Sequence, residues 1–158
     1  MEKSEIFKLV SVGFAAALIG MGITNYLLND ETIDASFVSS NDTLAEVSLE
    51  VADTSSERRK GLMNRTSLTK NHGMLFKYQE DDDRWFWMKN TYIPLDIIFL
   101  DSNYTVINIE KAEPEPNTAE ENLASYRSEE PAQYVVELNQ GFAENHSISK
   151  GDRLRIEK

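Results

Sequence analysis

The sequence predicts a mainly β fold: a small β-barrel or β-sandwich with one or two short helices, preceded by a single N-terminal transmembrane helix. Two observations carry this prediction. Six or seven short stretches with the apolar patterns of strands are separated by turn residues, as in sandwiches and barrels. A run of twenty residues without a charge lies near the N-terminus and is long enough to span a bilayer.

The N-terminal apolar segment extends over Leu9–Leu28, which at about 1.5 Å per residue matches the roughly 30 Å hydrocarbon core of a bilayer. Lys3 and Lys8 precede it, and Asp30 and Glu31 follow it. Positive charge on the N-terminal side predicts a cytoplasmic N-terminus and an extracytoplasmic C-terminal domain. The alternative is a cleaved signal peptide, which would make the domain a secreted protein. The length of the apolar segment and the lack of a small-x-small cleavage site after it favour a retained single-pass anchor.

The residues after the anchor are polar and rich in serine, which is typical of a flexible tether. The predicted boundaries are a cytoplasmic N-terminus at 1–8, a transmembrane anchor at 9–28, a flexible tether at 29–42 and an exported β-rich domain at 43–158. N-x-S/T sequons, which accept N-linked glycans when they are exposed in an exported protein, begin at Asn41, Asn64, Asn103 and Asn145. Chance explains these short motifs equally well.

The chain is acidic and contains no cysteine. Its formal net charge is -11, from 27 acidic and 16 basic residues. Nucleic acid is therefore not an expected partner, because phosphate backbones are bound by basic surfaces. Without cysteine there is no disulfide framework, no thiol nucleophile and no cysteine-ligated metal. We expect the acidity to serve the solubility of an envelope protein.

The first half of the domain predicts a strand, a capped helix and a second strand. Apolar and polar residues alternate over Leu44–Val51, as in a half-buried strand. Thr54–Glu57 matches a capping box that opens a short helix, and Gly61 is placed to end it. The next strand is expected at Met74–Tyr78, followed by a charged loop at Gln79–Arg84.

The second half predicts a hairpin with one deeply buried strand. Leu95–Leu100 is apolar except for Asp96, which is typical of a central strand buried on both faces. Asn90–Pro94 forms the preceding turn, because a proline pushes the residue before it away from helical geometry. The remaining predicted elements are a strand at Trp85–Met88, the second hairpin strand at Tyr104–Glu110, a solvated loop at Ala112–Leu123, a strand at Tyr134–Asn139, a helical turn at Gly141–His146 and a strand at Arg153–Glu157.

Several blocks of sequence stand out along the domain. They are Glu57-Arg58 with Lys60-Gly61-Leu62-Met63-x-Arg65, Gly73-Met74-Leu75-Phe76, Phe86-Trp87-Met88-Lys89-Asn90-Thr91-x-Ile93-Pro94-Leu95-Asp96, Ala112-x-Pro114, Tyr134-Val135-Val136-Glu137-Leu138-Asn139-x-Gly141 and Gly151-Asp152. In this order they resemble the uncharacterised bacterial and archaeal family called domain of unknown function 192. The resemblance runs from about residue 44 to the C-terminus and implies a compact β-barrel or β-sandwich, commonly exported or membrane-anchored. It implies no activity, and the Pro- and Glu-rich segment after Ala112 departs most from the family pattern.

The candidate functional residues are polar groups set among large apolar ones. Asp96 lies inside an apolar run, and a buried carboxylate must be paired or hydrogen-bonded to keep its charge. Lys89 or Arg65 is available as the counter-charge, and Asn90 as a hydrogen-bond donor. The full candidate group is Arg65, Trp87, Lys89, Asn90, Asp96, Glu137 and Asp152.

Three interpretations of this group stay open. The first is a structural ion pair that fixes the Asn90–Pro94 turn. The second is a small polar pocket that binds a carboxylate, a sugar or the end of a polymer, with the aromatic residues Trp85–Trp87 either stacking on sugars or anchoring the core. The third is a catalytic acid/base pair drawn from Asp96, Glu137 and Asp152, which requires two carboxylates in different environments.

Metal and nucleophile motifs are sparse in the sequence. His72 and His146 are the only histidines, and no HExxH spacing occurs, so a zinc site is not expected. A soft Cu(I) site is a minor alternative, whose candidates are Met63, Met74, Met88 and His72; methionines of small β domains more often fill the core. The sequence contains neither a G-x-S-x-G elbow nor a glycine-rich phosphate loop.

The favoured function is a non-enzymatic binding or interaction module of the cell envelope. Its partners would be the membrane, through residues 9–28, and a small ligand, a glycan or an envelope protein at the candidate pocket. The alternative function is an envelope hydrolase or transferase that uses carboxylates. No cofactor is implied.

Overall fold

Strands make up most of the folded part of the chain. A computed structural model describes residues 32–40 and 42–157. Within these residues the strands are β1 (Thr32–Ser39), β2 (Asp42–Ala52), β3 (His72–Asp82), β4 (Trp85–Phe86), β5 (Leu95–Leu100), β6 (Val106–Ala112), β7 (Tyr126–Arg127), β8 (Ala132–Asn139) and β9 (Arg153–Ile156). The helices are α1 (Ser55–Lys60) and α2 (Phe142–Asn145), with a 3-10 helix at Glu120–Asn122.

Seven of these strands form one sheet in the order β6-β5-β8-β3-β2-β1-β9. Neighbouring strands are antiparallel except β2 and β3, which are parallel. The chain between β2 and β3 contains α1, as a parallel pair requires a crossover connection. β4 and β7 pair separately as a two-stranded antiparallel sheet. The predicted mainly β fold with two short helices is confirmed.

β1 corrects the predicted tether at 29–42 and the predicted start of the domain after it. Thr32–Ser39 pairs with β2 along its length and also with β9, so it is an internal strand of the sheet. Phe37 is fully buried in the core. Ser36 is buried as well, and its hydroxyl is satisfied there because it donates a hydrogen bond of 2.8 Å to the Glu157 carboxylate. A polar residue such as Ser36, buried with its hydrogen bond satisfied, is why the sequence of this strand resembles a solvated linker.

The sheet curls around an inner core to which its strands contribute apolar side chains. Leu49, Ile98 and Leu138 are fully buried in this inner core. Within the described residues the two edges of the sheet meet through an isolated bridge between Thr105 and Arg153. β6 and β9 end the strand order and do not pair as neighbouring strands, so the sheet is not a closed barrel, which corrects that alternative of the prediction.

The outer face of β3, β5, β6 and β8 carries a second apolar core, which the connecting segments cover. Leu62, Met88 and Ile93 come from these segments and are buried against the sheet. Phe86 packs edge-to-face on Phe76, with ring centroids 5.0 Å apart, and on Phe99, with ring centroids 5.8 Å apart. Phe86 thereby fixes β4 and the residues after it against the outer face.

The predicted capping box and helix end are confirmed. The Thr54 hydroxyl accepts a hydrogen bond from the Glu57 N–H at 3.2 Å, and the Glu57 carboxylate accepts one from the Thr54 N–H at 2.9 Å. α1 ends at Gly61, whose φ of 46° is a conformation that favours glycine. α1 is thus held by its own sequence and presents its last residues, Arg58, Arg59 and Lys60, beside the outer face.

Other boundaries differ from the sequence predictions. The strand expected at Met74–Tyr78 continues to Asp82, so most of the charged loop expected at 79–84 belongs to β3. The strand expected at Trp85–Met88 shrinks to two residues, because its partner β7 is only two residues long. The buried strand at Leu95–Leu100 and its hairpin with β6 are confirmed.

No helix within the described residues is long and apolar enough to cross a membrane. The predicted anchor at Leu9–Leu28 lies outside those residues.

Candidate functional site

The outer face of the sheet carries an open cleft of about 440 Å³. One wall is α1 with the residues just after it, the opposite wall is aromatic, and the floor is the sheet itself. The volume lies within the range of small-molecule sites. The side chains that define the cleft are Arg58, Arg59, Lys60, Tyr78, Trp85, Trp87 and Glu137.

The basic wall consists of the three consecutive cations at the end of α1. Arg58 is already engaged: its Nη1 donates to the Lys77 carbonyl oxygen at 2.8 Å and to the Asp53 carbonyl oxygen at 2.5 Å. Arg59 and Lys60 are exposed and form no ion pair with any other described residue. These two cations are therefore available to an anionic ligand.

The aromatic wall is unusually exposed for its residue types. Trp85 is 59% exposed and Trp87 is 45% exposed, and both side chains line the cleft. Cations approach both rings: the Arg127 guanidinium carbon lies 5.8 Å from the Trp85 centroid, and Lys89 Nζ lies 5.2 Å from the Trp87 centroid. Since Phe86 between them is anchored in the core, both indoles are held at the rim of the cleft.

The floor of the cleft is a buried glutamate. Glu137 lies in β8, near the middle of the sheet, with Met74 and Ile97 beside it on the neighbouring strands. Burial raises the pKa of Glu137 to about 8, and the positive charge of Arg65 offsets part of this rise. At neutral pH the group is therefore mostly an uncharged carboxylic acid, which donates a hydrogen bond as well as accepting one.

Arg65 binds Glu50 as a fork and also acts electrostatically on Glu137. Its Nη1 and Nη2 lie 2.5 and 2.6 Å from the two carboxylate oxygens of Glu50. Glu50 pairs in register with Met74, which in turn pairs with Glu137, so the two glutamates are two strands apart on one face. The bidentate contact positions Arg65 close enough to act on Glu137 through space.

The cleft therefore combines three kinds of interaction in one place. Exposed indoles offer apolar faces, Arg59 and Lys60 offer positive charge, and Glu137 offers a neutral hydrogen-bond donor. Such a set suits a small ligand with a ring face and a negative charge.

A second, smaller hollow of about 310 Å³ is lined by residues that follow Trp87 and by the segment that contains the 3-10 helix. The predicted site residues Lys89 and Asn90 line this hollow rather than the first cleft. Lys89 Nζ forms an ion pair of 2.5 Å with Glu120. That contact ties the 3-10 helix to the residues after β4.

Asp96 does not join the cleft. It is completely buried in β5, on the inner face of the sheet with Ile98, whereas Glu137 faces outward. Its Oδ2 accepts a hydrogen bond of 2.9 Å from the Ala143 N–H in α2, and its Oδ1 has no partner among the described residues. Lys89 and Arg65, the counter-charges predicted for Asp96, form ion pairs with Glu120 and Glu50.

Asp152 also lies away from the cleft, in the turn before β9. Its Oδ2 accepts hydrogen bonds from the Ser149 N–H at 2.8 Å and the Ser149 hydroxyl at 3.1 Å. The structure thus separates Asp96, Glu137 and Asp152, and no acid/base pair forms from these three.

The methionines and histidine of the copper hypothesis have different environments. Met74 and Met88 are buried in the outer core, Met63 lines the cleft, and His72 is exposed at the start of β3. Among the described residues no three His, Asp or Glu side chains form a group that could hold a metal ion.

Of the predicted group, Trp87 and Glu137 line the cleft and Arg65 acts on its floor. Arg59, Lys60 and Tyr78 also line the cleft and are not among the predicted site residues. The capping box is the sequence signal that could have indicated the two cations, because it places the basic run at the end of a short helix.

The sequence and the fold of this chain are similar to those of one protein family and of two solved structures. Residues 36–156 match the family model of domain of unknown function 192, described as "Uncharacterized ACR". A solved protein from Sinorhizobium meliloti 1021, described as a candidate transcription regulator, is 35% identical with a TM-score of 0.73, over 82% of this chain and 96% of that one. A protein of unknown function from Novosphingobium aromaticivorans DSM 12444 is 33% identical with a TM-score of 0.67, over 78% of this chain and 84% of that one. No curated protein matches the chain. The matched blocks and the shared fold together show that the chain belongs to the domain of unknown function 192 family.

Proposed function

We propose that this chain is a membrane-anchored, extracytoplasmic binding module whose outer-face cleft takes a small anionic ligand with a ring face, an acidic sugar being our favoured class. The observation that supports the proposal is the placement of two exposed tryptophans beside two cations, Arg59 and Lys60, that form no ion pair within the part of the chain that the structure describes. In a chain with a formal net charge of -11, cations at a cleft that pair with no described acid favour an anionic ligand as their partner.

The exposed indoles also need an explanation. Exposing a large aromatic ring forgoes the free energy of its burial, and contiguous exposed apolar groups are typical of binding sites. Sugar rings present C–H faces that cover an indole, while their hydroxyl and acidic groups reach polar side chains. Trp85 and Trp87 therefore suit the ring, and Arg59 and Lys60 suit its negative substituent.

Fluorescence titration tests this function, because the only two tryptophans of the chain lie at the cleft. The ligands are methyl β-glucoside, its sulfate ester and methyl β-glucuronide, which share one ring and differ in charge. We expect both anions to bind more tightly than the neutral glucoside. We expect Trp87→Ala to weaken the binding of both anions by about tenfold, ~1.4 kcal/mol.

Matched controls lie outside the cleft. Tyr92 is an exposed aromatic residue that lines the second hollow, and Lys70 is an exposed lysine without an ion-pair partner among the described residues. Tyr92→Ala and Lys70→Ala should leave anion binding unchanged, whereas Arg59→Ala with Lys60→Ala should abolish the preference for anions. Equal binding of the neutral and anionic sugars, or none at all, would overturn the proposal.

The location rests on the apolar segment Leu9–Leu28 and the lysines before it. Protease added to intact cells should digest the domain, and extraction with alkaline carbonate should leave the chain in the membrane fraction. A protected domain would contradict the extracytoplasmic placement, and release by carbonate would favour the cleaved signal peptide.

An envelope hydrolase or transferase is the second candidate, and one observation favours it. Glu137 is a buried carboxyl at the floor of a cleft, with a pKa of about 8 that suits a general acid. However, no second carboxylate is among the described residues that line the cleft. Hydrolysis of a bound glycoside that Glu137→Gln abolishes would establish the enzyme; unchanged glycoside after saturating binding would exclude this reaction.

DNA binding takes its support only from the description of the Sinorhizobium meliloti protein. The formal net charge of -11 opposes it, because the phosphate backbone is bound through basic surfaces.

A further inference from the structure

The floor of the cleft holds a carboxyl group that no described residue satisfies. Glu137 is 6% exposed, and that exposure opens into the cleft it lines. No hydrogen bond from a described residue reaches its carboxyl oxygens, and burial is the main influence on the group. A buried polar group without a partner carries a free-energy cost, which a ligand in the cleft would remove.

The positive charge of Arg65 offsets only part of the effect of burial on this carboxyl. Arg65 itself is engaged as a fork with Glu50, at 2.5 and 2.6 Å. The sheet backbone fixes the position of Glu137, because β8 is paired on both sides in this register. The carboxyl is thus a rigid group that lacks a hydrogen-bond partner among the described residues, at the bottom of a basic and aromatic cleft.

We propose, as a refinement that rests on the proposed function, that Glu137 meets the ligand as a carboxylic acid and donates a hydrogen bond to a carboxylate of the ligand. The cleft would therefore select uronic-acid-type sugars over neutral sugars and sulfate esters. The charge of the ligand carboxylate is balanced by Arg59 and Lys60 on the facing wall. No covalent step is involved.

The selectivity follows from hydrogen-bond chemistry. An O–H···O⁻ bond between a carboxylic acid and a carboxylate is short and charge-assisted, and roughly twice as strong as a neutral one. A sulfate ester carries the same charge on much less basic oxygens, so it accepts this proton weakly. A neutral sugar gains nothing from the cations.

The same contact makes binding depend on pH. If Glu137 loses its proton, the acid and the ligand carboxylate repel each other in a poorly solvated place. With a pKa of about 8, Glu137 is almost fully protonated at about pH 6 and about one-tenth protonated at about pH 9, so the apparent Kd should rise about tenfold. The charged and titratable groups that surround Glu137 are Arg58, Arg59 and Lys60 on α1, Tyr78 on β3, Glu50 and Arg65 beside it, and Glu110 in the same row of the sheet.

Two substitutions of the same position separate the donor role from a packing role. Glu137→Gln keeps a hydrogen-bond donor that does not titrate, and Glu137→Met keeps the volume without any donor. Tryptophan fluorescence titration of the full chain with methyl β-glucuronide and with the sulfate ester of methyl β-glucoside, at about pH 6 and about pH 9, supplies the readout. Thermal unfolding of each variant confirms that it is folded.

We expect the natural chain to bind the glucuronide at least about tenfold more tightly than the sulfate ester at the lower pH, and to lose that advantage at the higher pH. Glu137→Gln should bind the glucuronide equally at both pH values, and folded Glu137→Met should bind both anions equally. If the natural chain binds both anions equally, with the same affinity at both pH values, the proton-donor role is wrong and the anion-binding function stands. If the folded natural chain binds neither anion, both proposals fail.

Discussion

Replacing Glu137 by glutamine should change how the stability of the domain depends on pH. The pKa of Glu137 rises from its ordinary 4.5 to about 8 because the carboxyl is buried. Between these values the folded state holds a proton that the unfolded state releases, so the contribution of Glu137 to the free energy of unfolding is highest below about pH 4.5. It falls as the pH rises and levels off above about pH 8.

The size of this change follows from the two pKa values. Their difference is about 3.5 (8 minus 4.5), and each tenfold change in proton affinity corresponds to about 1.4 kcal/mol. The titration of Glu137 should therefore lower the free energy of unfolding by about 5 kcal/mol between low and high pH. This is a large share of the roughly 5–15 kcal/mol that stabilises a typical domain. Because glutamine does not titrate, Glu137→Gln should be more stable than the natural chain by several kcal/mol at about pH 9, and by little or nothing at about pH 4.5.

Urea unfolding of both proteins at intervals between about pH 4.5 and about pH 9 measures this difference. Glu46 is an exposed glutamate on β2, so Glu46→Gln serves as a control that should follow the natural chain throughout. If the stability difference between Glu137→Gln and the natural chain stays constant across this range, Glu137 is not buried as an uncharged acid, and the description of the cleft floor is wrong.

Four further changes test the packing that positions the cleft. Gly73→Ala should destabilise the domain by at least about 2 kcal/mol, because a β-carbon there would lie 2.2 Å from the backbone oxygen of Glu137; urea unfolding without loss would contradict this close approach. Asp96→Ala removes the acceptor for an N–H of α2 and should cost about 1–3 kcal/mol, with α2 amides exchanging faster. Arg65→Met should raise the pKa of Glu137 further, so the stability should keep falling up to a higher pH than in the natural chain. Deletion of residues 32–39 should prevent the domain from folding, since β1 joins β2 to β9; the shortened chain should then show no cooperative transition in urea.

Local signals in the sequence predicted many of the elements. The capping box at Thr54 and Glu57 and the six buried residues at Leu95–Leu100 were found because each depends on neighbouring residues only. β1 was missed for the opposite reason: Ser36 is buried beside a partner far along the chain, the Glu157 carboxylate. The open curl of the sheet also depends on how distant edges meet, which no local pattern reveals.

The candidate site was predicted in part, and the error follows from the geometry of strands. Asp96 and Glu137 both read as acids within apolar strands, so the sequence grouped them. Side chains of neighbouring strands share a face only in the right register, and Asp96 pairs with Leu138 rather than with Glu137. Because the register is offset by one residue, the two acids lie on opposite faces of the sheet. Asp96 accepts a hydrogen bond from α2, whereas Glu137 is open to the cleft.

The most direct test of anion binding at the cleft is an NMR titration of the full chain with methyl β-glucuronide. The chain has two tryptophans, and their indole N–H signals report on Trp85 and Trp87 at the rim of the cleft. We predict that both signals shift progressively and saturate together, and that the backbone signals of Arg59 and Lys60 move with them. Saturating shifts confined to other surfaces, or no shifts at high ligand concentration, would contradict the assignment of this cleft as the binding site.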